Sequence, residues 1–399
     1  MVAAPIVYDP YDYAIDADPH PVWKRLRDEA PVYFNEHHGF YALSRFDDVL
    51  GAHLDPATFS SAHTTVLETM KPEIEPWAAS LMIFMDPPEH TRYRKLVSRA
   101  FTPRHMARLE PRVRSLANGF LDEFDGPFDF VADFGCRLPV MVISALLGAP
   151  EEDEDQLRQW SDDMLHIDPG ETYQGGSRAG EIQRAIHGYW QAHIDERRRQ
   201  PRDDILSELM TAELEEGDGA SRHVTDDELH SFMTLLSAAG NETVARFLGW
   251  SAVGLARFPA ERAKLVAQPA LIPNAVEEIL RWEAPSPIQG RWTTSPVELH
   301  GTVIPRDSKV ALLTGAANRD ERAFSDPDRI DVERPISRHV AFGYGIHFCL
   351  GAALARLEGR IALEETLQRY PTWDVDVDGC EMVHTSTVRG YAKVPVIPG

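Results

Sequence analysis

The chain has 399 residues, 43% of them apolar, enough to fill one large core. Its net charge of −23, from 40 basic and 63 acidic side chains, argues against nucleic acid or an anionic membrane as a partner. Three cysteines, Cys136, Cys349 and Cys380, are too few for a disulfide framework or for an iron–sulfur cluster held by this chain alone, so any electrons its chemistry needs would come from another protein. The stretch from Met1 to Tyr13 lacks the basic start and apolar centre of a signal peptide. No apolar run of about 18 residues stands out, and the expectation is a cytoplasmic protein without a membrane span. With no linker, repeat or low-complexity tract, residues 1–399 read as a single domain.

Residues 1–60 mix turns with a helix from Val22 to Glu29 and a hairpin, Pro31 to Phe34 and Gly39 to Leu43, around Asn35 to His38. Residues 61–80 show little periodicity. Asp86-Pro87-Pro88-Glu89 then opens a helix, since prolines in a first turn with an acid nearby are helix-start chemistry. His90 and Arg94, four apart, share a face of it. Arg92, Lys95, Arg99, Arg104 and Arg108 make this segment a basic island in an acidic chain. Apolar-striped helices follow from Pro139 to Leu147 and from Gln156 to Leu165, with Cys136 just before them as a core residue. Asp168-Pro169-Gly170 through Gly175-Gly176 interrupts the pattern before a helix from about Glu181 to Arg199, and such a break is a candidate lid.

Thr225-Asp226-Asp227-Glu228 is a capping box, and the helix it opens runs to about Arg257, where Pro259 stops it. Roughly thirty residues rising about 1.5 Å each make a rod about 45–50 Å long. Leu229, Phe232, Met233, Leu236, Val244, Phe247 and Leu248 stripe it. In its middle Ala239-Gly240-Asn241-Glu242-Thr243 breaks the stripe with a glycine, which costs about 1 kcal/mol there, and with polar groups that need partners. Local failures of this kind mark functional sites. Ile272 to Trp282 is a further helix whose Glu278 and Arg281, three apart, would on spacing alone be a surface ion pair. Val297 to Leu299, Lys309 to Leu313 and the segments around Met382 to Tyr391 read as short strands, with Cys380 in a turn.

Phe342-Gly343-Tyr344-Gly345-Ile346-His347-Phe348-Cys349-Leu350-Gly351 carries the most chemistry. Glycines two apart indicate a tight turn where backbone passes close to something. Leu350, Ala353, Leu354, Leu357 and Ile361 recur at helical spacing, which puts Cys349 at a helix N-terminus, where free N–H groups favour a thiolate. A thiolate on such a loop suits a soft metal ligand such as haem iron; the bland alternative is a buried free cysteine.

The run from Phe342 to Gly351 resembles the haem-binding loop of the cytochrome P450 family, and nearly the whole chain resembles that family's landmarks in the same order. The resemblance implies a mainly α fold with a small β region. In it, haem b (iron protoporphyrin IX) lies between the central helix and the Cys349 loop with the helix after it. Cys349 is then the axial thiolate that pushes electron density to the iron, on a loop with Phe342, Gly343, His347 and Gly351. His90, Arg94, Arg291 and His339 match positions that bind the haem propionates. Ala239 and Gly240 match a distal groove with room for dioxygen. Glu242 takes the role of acid and Thr243 that of hydroxyl in a proton relay, against a bland reading of a threonine bonding its own helix beside a solvated glutamate. Asn241 stands at a variable position that can face the pocket. Glu278 and Arg281 become a buried structural pair joined by Arg334. Segments 61–80 and 166–180 and the stretch Pro285 to Gln289 border the substrate pocket.

By the same resemblance the basic face with Arg92, Lys95, Arg99, Arg104 and Arg108 receives a ferredoxin reduced by an NAD(P)H-dependent reductase, and one oxygen atom of O2 enters a largely apolar small molecule. A peroxide-driven member of the family commonly lacks the acid–alcohol pair that stands here at Glu242-Thr243. A haem-thiolate binder or sensor without turnover would have no need of a proton relay.

Overall fold

The computed structural model describes residues 5–399 apart from 100, 166–178, 217–218 and 386. Helix α1 (His20–Glu29) leads into a hairpin of β1 (Val32–Asn35) and β2 (Phe40–Leu43), with Val32 opposite Leu43. α2 (Phe46–Leu54) and a short β3 (Phe59–Ser60) follow. α3 (Glu89–Val97) starts behind Pro88, and α4 (Pro103–Leu121) behind Thr102, whose hydroxyl accepts the His105 N–H. α5 (Arg137–Leu147) stops at Gly148, where a φ of +84° takes the left-handed turn that glycine tolerates. α6 (Glu154–Leu165) and α7 (Ala179–Arg199) come next. An acidic hairpin of β4 (Glu213–Glu215) and β5 (Ser221–His223) then precedes α8 (Asp226–Arg257). α9 (Ile272–Trp282), β6 (Ile288–Thr293), β7 (Lys309–Leu313) and α10 (Ala352–Arg369) lead to a last hairpin, β8 (Glu381–Met382) and β9 (Tyr391–Lys393).

The main sheet has the order β1-β2-β7-β6-β3, with β7 parallel to β2 and antiparallel to β6. The helices pack around α8, which touches α5, α6, α7, α9 and α10. Its capping box is closed as the sequence predicts: the Thr225 hydroxyl accepts the Glu228 N–H, and the Glu228 carboxylate accepts the Thr225 N–H at 2.8 Å. Phe232, Met233, Leu236, Phe247 and Leu248 are all buried. At about 1.5–3 kcal/mol for each such side chain, that burial outweighs the glycine in mid-helix.

Two expectations change here. Phe130–Leu147 is in fact an 18-residue stretch apolar and long enough to cross a membrane by composition, yet 61% of it is buried inside the fold. It forms a π-helical stretch, Phe130–Gly135, followed by α5, and both pack against α8. The strands near the C-terminus are shorter than the alternation implied: they cover only Glu381–Met382 and Tyr391–Lys393, with the Val383 N–H donating to the Gly390 carbonyl at 2.9 Å beyond them. The candidate lid at Asp168 to Gly176 lies outside the described residues.

The pair read as Glu278 and Arg281 is a buried knot. Glu278 accepts Arg281 Nε at 2.7 Å and Arg334 Nε at 3.0 Å, and the side chains of Glu278 and Arg281 are fully enclosed. A lone buried carboxylate would be expensive; two guanidinium groups and the Asp331 N–H at 2.9 Å satisfy it.

Candidate active site

The Cys349 loop is shaped by its glycines. Gly343 and Gly345 have φ of +64° and +68°, a region that residues with a Cβ avoid. A Cβ on Gly345 would stand 2.5 Å from the His53 carbonyl, so the backbone that the turn passes close to is the end of α2. The loop closes with the Cys349 N–H donating to Phe342 O at 2.9 Å. α10 begins at Ala352, two residues later than the periodicity implied. The N–H groups of Gly351 and Ala352, with Arg94 and Arg356, do favour the thiolate, but burial outweighs them and pushes the Cys349 thiol up. By surface area the residue is exposed. A bound metal cation would reverse the balance, as it does for thiols generally.

Beside this loop lies a cluster of donors with no carboxylate bonded to it. Arg291, on β6, is 4% exposed, and among the described residues its one hydrogen-bond acceptor is the Gly290 carbonyl at 2.7 Å. Burial brings its pKa down to about 10, with Asp86 opposing. His90 is buried with both ring nitrogens unpartnered, and its ring lies 4.2 Å from that of His347, whose Nε2 is also unpartnered. Burial, then Arg94, lowers His90 to about 4; burial, then Arg291, His90 and Arg94, lowers His347 to about 2. Arg94 donates to the Phe348 carbonyl at 2.6 Å, which ties α3 to the cysteine loop. Asp86, the nearest acid in effect, is taken up by the Ser60 hydroxyl and the Ser61 N–H. An uncompensated buried guanidinium is costly. These orphaned donors fit a group bringing two carboxylates, and the haem propionates are that chemistry.

His339 departs from its expected place in this cluster. Its Nε2 lies 3.1 Å from Glu277 Oε2 and its Nδ1 accepts the Ala341 N–H at 3.1 Å, so both nitrogens are engaged. Glu277 also holds Arg356 at 2.6 Å, and its carboxyl is pulled down to about 2 against burial by His339 and Arg356. His339 thus joins the Glu277–Arg356 pair, and His347 stands beside His90 in the donor cluster. His53 was not singled out by any motif. It is buried with both nitrogens unpartnered, and burial, then Arg291, lowers it to about 3.

On α8, Ala239 is exposed and Thr243 partly so, in the middle of an otherwise covered helix. The Thr243 hydroxyl donates to Ala239 O at 3.2 Å, so the local bond foreseen in the bland reading is present. Glu242 is not solvated: it is 4% exposed and paired with Arg246. Gly240 lets α8 and α5 pack closely, because a Cβ there would lie 2.9 Å from Ile143 on α5. Asn241 is buried with neither amide atom partnered. At about 100° per residue it stands about 200° around the helix from Ala239, with Ala245 and Leu248, which meet Gly135. It therefore faces the helix packing and not the uncovered side. Arg246 went unread, although a Glu–Arg spacing of four on a helix is a recognisable signal.

The basic island is less bare than the sequence implied. Arg92 meets Glu89 at 2.8 Å and Glu216 at 3.5 Å, and Lys95 meets Glu215 at 3.0 Å, so the β4–β5 hairpin neutralises part of it. Arg99 and Arg108 are exposed, and the Arg104 side chain lies outside the described residues.

Residues 263–388 match the family model described as Cytochrome P450. Cytochrome P450 123 of Mycobacterium tuberculosis is 40% identical, over 98% of this chain and 96% of its own length. The vitamin D(3) 25-hydroxylase of Pseudonocardia autotrophica is 38% identical, over 96% and 94%. The solved structure of a mutant of P450 EryK from S. erythraea, in complex with erythromycin B, superposes with a TM-score of 0.87 at 36% identity, covering 98% of each chain.

Proposed function

Because the chain belongs to the cytochrome P450 family, whose members here match it from end to end, we propose that it inserts one oxygen atom of O2 into a largely apolar small molecule, with electrons from NAD(P)H passed through a reductase and a ferredoxin. Haem, when bound, supplies the site where O2 is held and reduced. The residues do the rest. Cys349 would bind the iron as thiolate, giving up its proton on coordination. His90, Arg94, Arg291 and His347 would take the two propionates, which fixes the plane of the group against the loop. Phe342, Gly343 and Gly351 shape the loop; a Cβ on Gly351 would meet nothing within 4 Å, so a flat group can lie close there.

The observation that carries turnover rather than mere binding is the pairing on α8 of an uncovered Thr243 hydroxyl with a buried Glu242 carboxylate one residue away. Thr243 would hold a hydroxyl at the reacting centre, and Glu242 would pass it protons in a site that excludes bulk water. Segment 65–70 packs on β6, since a Cβ on Gly290 would lie 2.6 Å from Met70 Cε and 2.9 Å from Thr65 O. It would thereby form an apolar wall with Pro285 to Gln289. The relatives act on or hold vitamin D3 and erythromycin B, both large and mostly apolar, and compounds of that kind are the first to try.

The test is oxygen uptake and product formation by the purified haem protein with NADPH, a ferredoxin and its reductase. The reading expects oxygenated product that depends on all three, and a red-shifted Soret band of the reduced carbon-monoxide complex that Cys349→Ser abolishes. A Cys349→Ser protein that keeps the band would sink the ligand assignment. Product formed with hydrogen peroxide alone and never with the electron-transfer proteins would point to the peroxide-driven alternative.

A further inference from the structure

Glu242 is tethered through a single partner to a distant part of the chain. Arg246, one helical turn on and also 4% exposed by side chain, donates Nε at 3.0 Å and Nη2 at 2.5 Å, both to Glu242 Oε1. Among the described residues Oε2 has no hydrogen-bond partner. Arg246 turns its other arm away: Nη1 donates to the Tyr391 carbonyl at 2.6 Å, on β9. Next to Tyr391, Gly390 lies so close to the Arg246 stem that a Cβ would come within 2.6 Å of Arg246 Cβ. One turn further along α8, Trp250 Nε1 donates to the Arg389 carbonyl at 3.1 Å. The point where the bend of the C-terminal hairpin enters β9 is thus clamped onto the turn of α8 that bears Glu242.

This arrangement does two things to the carboxylate. A guanidinium at hydrogen-bond distance gives one of its buried oxygens a charge-assisted partner, without which its burial would be costly. Tethering one oxygen and leaving the other fixes its direction without using up its capacity to accept a proton. We propose, resting on the relay reading of Glu242, that Arg246 is a positioning residue for the oxygenation reaction: it holds the Glu242 carboxylate in reach of Thr243 and couples that placement to the seating of the β8–β9 hairpin. The side chain touches neither iron nor substrate; it acts through Glu242.

The test uses the ferric holoenzyme for hydrogen exchange across residues 381–393. The same protein with NADPH, a plant-type ferredoxin and its reductase then gives the hydrogen peroxide released per NADPH, with no added substrate. Arg246→Met is expected to raise peroxide release roughly twofold or more, to the level of Glu242→Gln, and the double variant to go no higher, because the two residues act as a unit. Exchange at Tyr391 to Lys393 is expected to speed about tenfold once the charge-assisted bond to the Tyr391 carbonyl is gone. Arg246→Lys keeps a cation for Glu242 but cannot fork to both partners, so its peroxide release should lie between parent and Arg246→Met while its exchange is fast. Should Arg246→Met not fold, the lysine variant gives both readings. Additive peroxide yields in the double variant, or parent-like yield and exchange in the single ones, overturn the proposal. If Glu242→Gln releases no more peroxide than the parent, the relay reading falls and takes the catalytic half of the proposal with it; parent-like exchange alone would remove the clamp and leave the relay standing.

Discussion

Two of the buried arginine clusters among the described residues are opposites. In the knot at the end of α9, Arg281 and Arg334 converge on Glu278, and their other arms reach the carbonyls of Asn318, Pro327 and Ser325. Each guanidinium thus finds a carboxylate and backbone carbonyls of the chain itself as acceptors. Beside the cysteine loop, Arg291 is as deeply buried but among the described residues has one carbonyl and no bonded acid, and His90 and His53 near it have both ring nitrogens unpartnered. The same residue type at the same depth is structural where the anion is internal and a binding group where it is not. Burial alone does not tell them apart; the accounting of partners does.

Removing the acid of the closed knot should be the most damaging change. Glu278→Ala strands two buried guanidinium groups and is expected to lower stability by about 3–5 kcal/mol in denaturant unfolding of the haem-free protein. Arg291→Met should do the reverse at the open cluster. It relieves an unbalanced charge, so haem-free stability holds or rises, while haem affinity falls about tenfold to a hundredfold, as for loss of a charged hydrogen bond. Equal losses of stability in the two variants would erase the distinction between the clusters.

Acidity sharpens it further. His90 and His53 are lowered from 6.5 to about 4 and about 3, so below pH 6.5 the unfolded chain binds protons that the folded chain refuses. Haem-free stability should therefore fall as pH drops from about 6.5 toward 4. Bound propionates would favour the charged histidines, so the fall should be shallower with haem; parallel curves would place His90 away from the propionates. The smallest effect belongs to the surface. Lys95→Gln, which opens an exposed pair with Glu215, should move stability by less than about 0.5 kcal/mol.

What could be read from the sequence was what is decided nearby. Thr225 and Glu228 settle the start of α8 within one turn, and the positive φ of Gly343 and Gly345 follows from a loop that only glycine can make. The choice between His339 and His347 could not be read, because it turns on Glu277, 62 residues away from His339 along the chain. The meaning of Gly240 depended on Ile143 across a helix interface, and the partial neutralisation of Arg92 and Lys95 on a hairpin more than a hundred residues on. That Glu242 is buried, unlike the solvated acid of the bland alternative, depended on Arg246.

The apolar stretch Phe130–Leu147 has a consequence for synthesis. Its covering helix, α8, starts at Asp226 and meets it at Gly240 and as far along as Leu248. At about 5–20 residues per second, the 101 residues from Leu147 to Leu248 take roughly 5–20 s to add. For that time the growing chain carries a segment of membrane-spanning length without the surface that hides it. The nascent protein is thus most at risk of capture by membranes or of clumping in this interval, and a chain that terminates before Asp226 would never leave it.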